Sequence, residues 1–274
     1  MDSETAHILI DETTAFYEAH AESFASTRER PWEGWERVLE ICKPEADRAM
    51  SLGIPYRVLD IGCGNMRFER MLADALPNAT SEFFAIDNCA PLARDLAQEE
   101  AVSFAEMDVM LSLERGSLTD DIVDAFPGLH RSAGNAPFDL AVAFGFMHHI
   151  PIDEWRRRLI ASMAASVKSG GIAVVALWRF ASNAKLAAKA ANATEAGCAK
   201  LGIRLDQAQG DYLLGWQGGI ERIRYCHSFS DDEASELVLY AKTLDMKLIS
   251  RFYADGPDGE SNLYLCFERR EQGV

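Results

Sequence analysis

The spacing of apolar and polar positions changes period along the chain, and each change marks an element. Over the first fifty residues Phe16, His20 and Phe24 recur at every fourth position with Tyr17 beside them, the spacing of one helix face, and Pro31-Trp32 interrupts it. A second helix is expected from Trp32 to about Met50. Tyr56-Arg-Val-Leu-Asp60 then reads as a strand, a glycine turn closes it, and helical spacing resumes from Phe68 to Leu76. The alternation continues with strand 82–87, helix 90–99, strand 101–107, strand 138–144, helix 153–168 with Asp153 as its expected cap, Gly170-Gly171, and strand 172–178. Phe138-Asp-Leu-Ala-Val-Ala-Phe144 is nearly all apolar, as a strand covered on both faces must be. Strands separated by helices in this order predict an α/β fold, Rossmann-like and doubly wound, with a mostly parallel sheet.

Two stretches break the rhythm. Residues 112–137 form a polar insert, with a short helix expected from Thr119-Asp-Asp before a Gly/Asn/Pro loop. From 179 to 230 the pattern turns irregular, with an Ala-rich helix over 184–200, the segment Gly210-Asp-Tyr-Leu-Leu-Gly-Trp216, and Arg222-Ile-Arg-Tyr-Cys-His-Ser-Phe229. A helix over 231–244 and two strands, 246–253 and 262–268, close the chain around the hairpin turn Asp255-Gly-Pro-Asp-Gly259. The count of core strands is then seven. We read 1–274 as one domain, with 1–50 as a helical lid and 179–230 as an insert on the substrate side, between the fifth and sixth strands.

Composition narrows the class. Apolar residues make up 48% and charged residues 26%, ordinary globular usage that excludes a disordered chain. No run approaches the roughly 18 apolar residues of a membrane span, and the acidic start MDSETAHILIDE is unlike a signal peptide, so a cytoplasmic protein is expected. Cysteines 42, 63, 89, 198, 226 and 266 show no C-x-x-C pair and no metal-like spacing with the six histidines, so free thiols and no metal are expected. Forty-three acids against twenty-seven bases give a formal charge of −16, which repels nucleic acid on average. Within 179–204, however, Arg179, Lys185, Lys189, Lys200 and Arg204 face only Glu195, so a local basic patch stays open.

The chemistry starts at Asp60-Ile-Gly62-Cys63-Gly64-Asn65. Two glycines one residue apart, directly after a strand, let backbone pass close to a ligand that a side chain would block. A nicotinamide-binding turn would carry a third glycine where Arg67 stands. Asp60, Asp87 and Asp108 stand at the ends of three successive strands, Asp87 with one intervening helix after Asp60.

This arrangement resembles the class I S-adenosylmethionine (SAM) dependent methyltransferase superfamily over about residues 56–178, with Val58-Leu-Asp-Ile-Gly-Cys-Gly-Asn65 as its first motif. The resemblance implies SAM as cofactor, S-adenosylhomocysteine as product, and a reversed last strand paired in a hairpin at the sheet edge. Asp60 is then expected near the ammonium of the cofactor's amino acid tail, Gly62, Cys63, Gly64 and Asn65 along that tail through backbone, Asp87 on both ribose hydroxyls with Asn88 beside it, and Asp108 on the adenine amine with Val109 framing the ring. Phe144 is placed with the cofactor, and Tyr17 and Trp32 close over it from the lid.

The acceptor is less defined. Gly145-Phe-Met-His-His-Ile150 follows the fourth strand, where the class presents groups to substrate, and His149 is a candidate base because imidazole titrates near neutral pH. Phe24-Ala-Ser-Thr-Arg28 with Pro31-Trp32, the His148-His149 pair, Ala176-Leu-Trp178, the 210–216 segment and Tyr225-Cys-His-Ser-Phe229 together resemble the tRNA wobble-uridine carboxymethyl methyltransferases. That resemblance implies a tRNA acceptor whose carboxylate is esterified. A carboxylate needs no base, since it is ionised at pH 7, but it calls for an arginine fork, for which Arg28, Arg222 and Arg224 are the candidates. The alternatives are a small-molecule acceptor with His149 as base, and a SAM-binding protein without turnover.

Overall fold

Residues 1–77, 80–93, 102–129 and 136–270 are described by the structure, a computed structural model. Seven strands form one sheet: β1 (Tyr56–Ile61), β2 (Ser81–Asp87), β3 (Val102–Glu106), β4 (Phe138–Ala143), β5 (Val167–Trp178), β8 (Met246–Ala254) and β9 (Asn262–Arg269), in the order β3-β2-β1-β4-β5-β9-β8. The first five pair in parallel, and β9 runs antiparallel to both β5 and β8. The fold is therefore Rossmann-like and mostly parallel, with the last strand reversed.

The two-residue period of the strands explains why helices cover both faces. Leu59, Ile61, Ala141, Ala143, Ala173 and Val175 point to the face packed by α5 (Val109–Arg115), α6 (Leu118–Ala125), α7 (Asp153–Ser166) and α9 (Asp231–Lys242). Tyr56, Val58, Leu140, Val142 and Val174 point to the other, against α2 (Glu33–Leu52) and α3 (Arg67–Ala75). All six residues of β4 are buried, as its apolar run predicts. Strand order reverses between β1 and β4, and the crevice at their carboxyl ends is where such sheets place ligands.

A second layer lies over that crevice. It comprises α1 (Ser3–Ser26), α8 (Ala184–Leu201) and an antiparallel pair, β6 (Asp211–Trp216) with β7 (Gly219–His227). Leu9 of α1 packs with Leu213, Ile223 and Tyr225, while Phe180, Ala190, Tyr212 and Cys226 form a neighbouring cluster. Thr13 Oγ1 locks α1 to β7 by accepting from the Tyr225 amide at 2.9 Å.

Several boundaries differ from the sequence expectation. Asp153 is the first residue of α7 rather than its cap: Ile152 holds the cap position, and Asp153 pairs with Arg157 one turn on. The 112–137 insert contains the end of α5 as well as α6, which starts at Leu118 after Ser117. Gly170, with φ +75°, does not end an element, because β5 begins at Val167 and absorbs the glycine pair at a register shift against β4. Of the expected helix 90–99 only α4 (Ala90–Ala93) lies within the described residues, and so does only part of the expected loop before β4.

The β8–β9 turn fixes α2 to the sheet through one carboxylate. Buried Asp255 accepts from the Gly34 amide at 2.9 Å, Asn262 Nδ2 at 2.8 Å and the Tyr264 hydroxyl at 2.6 Å. Gly34 has no room for a side chain, since a Cβ there would lie 2.4 Å from the Tyr264 ring. Asp255→Ala orphans three buried donors and is expected to cost about 3 kcal/mol or more, read from the urea unfolding midpoint at unchanged slope. A loss below about 1 kcal/mol would mean that water reaches those donors.

Candidate functional site

The glycine turn after β1 is shaped by backbone geometry that few residues adopt. Gly62 and Gly64 have φ of +75° and +54°, and a Cβ on Gly62 would sit 2.6 Å from the Phe146 ring. The turn is tied to the end of β2: the Gly62 amide donates to Ile86 O at 2.8 Å. Asp87 takes the Gly64 amide on Oδ2 at 2.9 Å and the Cys89 amide on Oδ1 at 2.8 Å. Burial raises the Asp87 pKa against the pull of these amides. Asn65 reaches the lid, donating from Nδ2 to Arg28 O at 2.9 Å, and Arg67 donates to Arg30 O at 2.7 Å. The connection between α1 and α2 is thereby held over the turn.

A cavity of about 440 Å³ opens here, and residues from both layers line it. Tyr17, Arg28, Trp32, Asp60, Gly62, Cys63, Gly64, Asn65, Asp87, Asn88, Val109, Phe144, His149 and Arg224, all singled out in the sequence, are brought together on its walls. Asp108 is not among them. Its exposed carboxylate caps α5, with Oδ1 accepting from the Leu111 amide at 2.9 Å. Arg222 is exposed on β7, and Tyr212 is core.

The walls also include residues that the sequence reading missed. Ile10, Thr13 and Thr14 precede Tyr17 on one helical stripe of α1, a spacing that would have found them. Asp255, Ser261 and Asn262 come from the distant β8–β9 connection, for which no local signal exists.

Charge is segregated within the cavity. On the floor Asp60 is 3% exposed, with Glu69, 2% exposed, behind it; the two carboxyl groups hydrogen-bond to each other, and Asp60 Oδ1 and both Glu69 oxygens have no partner outside the pair. Burial first, then Glu69, drives the Asp60 pKa well above its ordinary value, and burial likewise raises Glu69. At the roof, Arg28 lies 3.4 Å over the Phe24 ring and 5.2 Å over Trp216, while Arg224 lies 4.5 Å over Phe16. Arg224 is 6% exposed with Nε and Nη1 unpartnered. Burial pulls the Arg28 pKa down to about 10, so it remains a cation at neutral pH.

His149 sits between these poles, in the one-turn 3-10 helix 147–149. Its Nδ1 lies 2.7 Å from Tyr225 O, which accepts only if that nitrogen carries the proton, leaving Nε2 to accept from the Tyr17 hydroxyl at 2.8 Å. Burial first, then the Arg224 charge, lowers the His149 pKa to about 3, so the ring stays neutral in the physiological range. His148 is lowered as well, by burial and then by His149, and its Nδ1 is unpartnered. Ligand atoms of His148, His149 and Cys226 lie within 4.8 Å of one another, but both His149 nitrogens are engaged and the Arg224 guanidinium beside Cys226 repels a cation.

A family model described as "Methyltransferase domain" matches residues 20–236. No curated protein matches the chain. Among solved structures, the Burkholderia thailandensis 1,6-didemethyltoxoflavin-N1-methyltransferase, with 1,6-didemethyltoxoflavin and S-adenosylhomocysteine bound, is 16% identical, covers 99% of this chain and 92% of its own, and superposes with a TM-score of 0.56. A SAM-dependent methyltransferase of Methanosarcina mazei is 15% identical over 79% of this chain and 93% of its own, with a TM-score of 0.53. Both likenesses concern the fold. The cavity itself fits the cofactor of that fold: SAM carries an ammonium and a sulfonium, and the floor offers buried carboxylate oxygen with no partner outside the Asp60–Glu69 pair, while the positive-φ glycines leave room where a Cβ on Gly62 would strike Phe146. The chain thus belongs to the methyltransferase-domain family, and it is a class I SAM-dependent methyltransferase.

Proposed function

We propose that this methyltransferase esterifies a carboxylate on a small acceptor held in this cavity beside Arg28 and Arg224. The observation that carries this reading is Arg224: a buried guanidinium on the cavity wall, beside the Cys226 thiol, with Nε and Nη1 unpartnered and no carboxylate partner among the described residues. An unpaired cation in that position costs several kcal/mol, and stacking on Phe16 and Phe24 offsets only about 1–2 kcal/mol of it. An anionic ligand supplies the rest, and a carboxylate matches the planar fork.

The cofactor residues then divide the work. Asp60 faces the ammonium, Gly62, Cys63, Gly64 and Asn65 line the amino acid tail, and Asp87 with Asn88 meets the ribose. Met107 and Val109 frame the adenine, with Asp108 left to its cap. Phe144 packs below, and Tyr17 and Trp32 close from the lid. SAM supplies an electrophilic methyl on a sulfonium. Arg28 and Arg224 hold and orient the acceptor oxygen for in-line attack, and the aromatic walls exclude water, which together lower the barrier by several kcal/mol. One C–O bond forms as the C–S bond breaks, and no proton moves.

Two observations support this reading over its rivals. His149 is neutral but a weak base, and its Nε2 is already occupied by Tyr17, so base-assisted attack by a phenol or amine has no free partner there. For a tRNA carboxymethyluridine the same clamp would serve, but the basic stretch is only partly free: Arg179 pairs with Asp231 and Lys200 is drawn to Glu221 O and Glu12, while Lys185, Lys189 and Arg204 are exposed.

The direct test incubates enzyme and methyl-labelled SAM with small-molecule and RNA fractions, then treats the products with mild alkali. A label released as methanol from the small-molecule fraction is expected; an alkali-stable label would exclude an ester, and label in RNA would restore the tRNA acceptor. With both substrates saturating, kcat is expected to be flat from pH 6 to 8, since a carboxylate of pKa near 4 is ionised throughout and His149 stays neutral. An inflection near pH 6.5 would favour the base mechanism. Arg224→Gln is expected to raise the acceptor KM by roughly tenfold or more, the loss of a charge-assisted bond, with SAM affinity within about twofold. Equal losses would place Arg224 on the cofactor. Asp87→Ala should weaken SAM binding by about tenfold or more, since it loses both the ribose contact and the amide anchors of the turn. Unchanged calorimetric affinity would remove Asp87 from the site.

A further inference from the structure

Glu69 has no place in the methyl transfer outlined above, yet its position is unusual. It lies on the first turns of α3, behind the cavity wall rather than in it, and is 2% exposed. Its carboxyl group meets that of Asp60 at the end of β1 and hydrogen-bonds with it, and three of the four oxygens of the pair are buried with no partner outside the pair.

The charged groups around the pair are of the wrong sign to relieve it. From β2, Asp87 adds negative charge toward Asp60, and from the turn the Cys63 thiol contributes none while protonated. Arg70, one residue along α3, acts on Glu69 from the solvent side, with its own Nη2 donating to Asn65 O. No salt bridge joins either carboxylate to a cation among the described residues. Two adjacent carboxylates buried without a counter-ion cannot both ionise, because each adds to the desolvation cost of the other. The pair must therefore hold a proton in the cofactor-free protein.

Asp60 lines the cavity and Glu69 does not, so an arriving ligand meets only one face of the pair. We propose that Asp60 and Glu69 share one proton when the cavity lacks its cofactor, that the ammonium of the SAM tail displaces it, and that Glu69 thereby selects for a ligand bearing a cation at this position. The inference rests on the placement of SAM proposed above. In charge terms the step balances: one positive charge enters, one proton leaves to solvent, and the floor goes from a singly to a doubly ionised pair facing a cation. Glu69 acts through Asp60, as a positioning residue for charge.

The experiment is titration calorimetry of the full-length protein near pH 7 with S-adenosylhomocysteine, which carries the ammonium and does not turn over, in two buffers of different ionisation enthalpy. The slope of observed enthalpy against buffer enthalpy counts protons released. Wild type is expected to release a substantial fraction of one proton, and Glu69→Gln, which keeps the shape and cannot ionise, a clearly smaller fraction, because burial alone still raises the Asp60 pKa. 5′-Methylthioadenosine, which has the nucleoside half without the amino acid, is expected to bind wild type with no proton release. S-Adenosylhomocysteine affinity should also fall by up to about tenfold per pH unit on acidification below the pKa of the pair, and in Glu69→Gln that fall should begin at lower pH. Equal proton counts for wild type and Glu69→Gln would overturn the proposal, as would release with methylthioadenosine, which would assign the proton to Asp87. If Glu69→Gln does not fold, buffer-independent enthalpy in wild type overturns it alone. Failure of S-adenosylhomocysteine to bind would instead refute the placement of the cofactor, a separate outcome.

Discussion

The Asp87 carboxylate is the fixed point of this molecule. One oxygen receives the Gly64 amide and the other the Cys89 amide, so the loop leaving β1 and the loop leaving β2 are fastened to a single group. The glycine turn can hold its positive φ angles only while those amides have acceptors, and a buried amide without one is costly. From the turn the order passes outward. Asn65 and Arg67 grip the carbonyls of Arg28 and Arg30, which fixes where α1 ends and α2 begins, and therefore where Tyr17, Phe24, Arg28 and Trp32 stand. The lid is positioned by the same loop that it covers.

Charge separation is the second consequence of that arrangement. The sheet contributes Asp60 and Asp87 because the carboxyl ends of β1 and β2 open into the crevice, while the upper layer contributes Arg28 and Arg224. Among the described residues no ion pair joins Asp60 or Asp87 to a cation, or Arg28 or Arg224 to a carboxylate. A ligand pair whose charges run the opposite way, cationic at the floor and anionic at the roof, complements both. Neutral His149 sits at the middle, holding Tyr17 and the Tyr225 carbonyl through two short hydrogen bonds and carrying no charge that would blur the separation.

Much of the fold was legible because its signals are local. The apolar run 138–144, the glycines after Asp60 and the alternation of strands and helices each report on a few neighbouring residues, and the observed strands follow them closely. What was not legible depended on long-range contacts or on competition between short ones. Asp108 has the strand-end position of a ligand, but an Asp there finds the nearby Leu111 amide first and becomes a cap. Asp255 looked like an ordinary turn residue, and its role as the acceptor that docks α2 appears only when Gly34, 221 positions away, arrives beside it. Glu69 sits in a helix of ordinary amphipathic pattern, and nothing local says that its carboxylate faces Asp60 rather than solvent. Of the arginines proposed for the acceptor, Arg222 and Arg224 are two residues apart on β7 with opposite fates, because α1 covers the strand only from Ile223 onward.

Those arginines also resolve an apparent conflict in the global charge. A protein at −16 draws a cationic cofactor toward it and turns an anionic acceptor away. Screening confines that field to about 8 Å at physiological ionic strength, so it biases encounter and does not decide what is held inside. Binding is decided where water is excluded, and there the guanidinium of Arg224 is separated from bulk solvent by Phe16, Phe24 and Tyr225's strand. A local cation in a dry, aromatic surround can hold an anion against an unfavourable exterior, because the Coulomb attraction at contact in low dielectric exceeds the screened repulsion outside. The same exterior that slows the entry of an acidic acceptor also discourages a polyphosphate backbone from settling on the surface, and the molecule is thereby suited to an acceptor small enough to leave that surface behind.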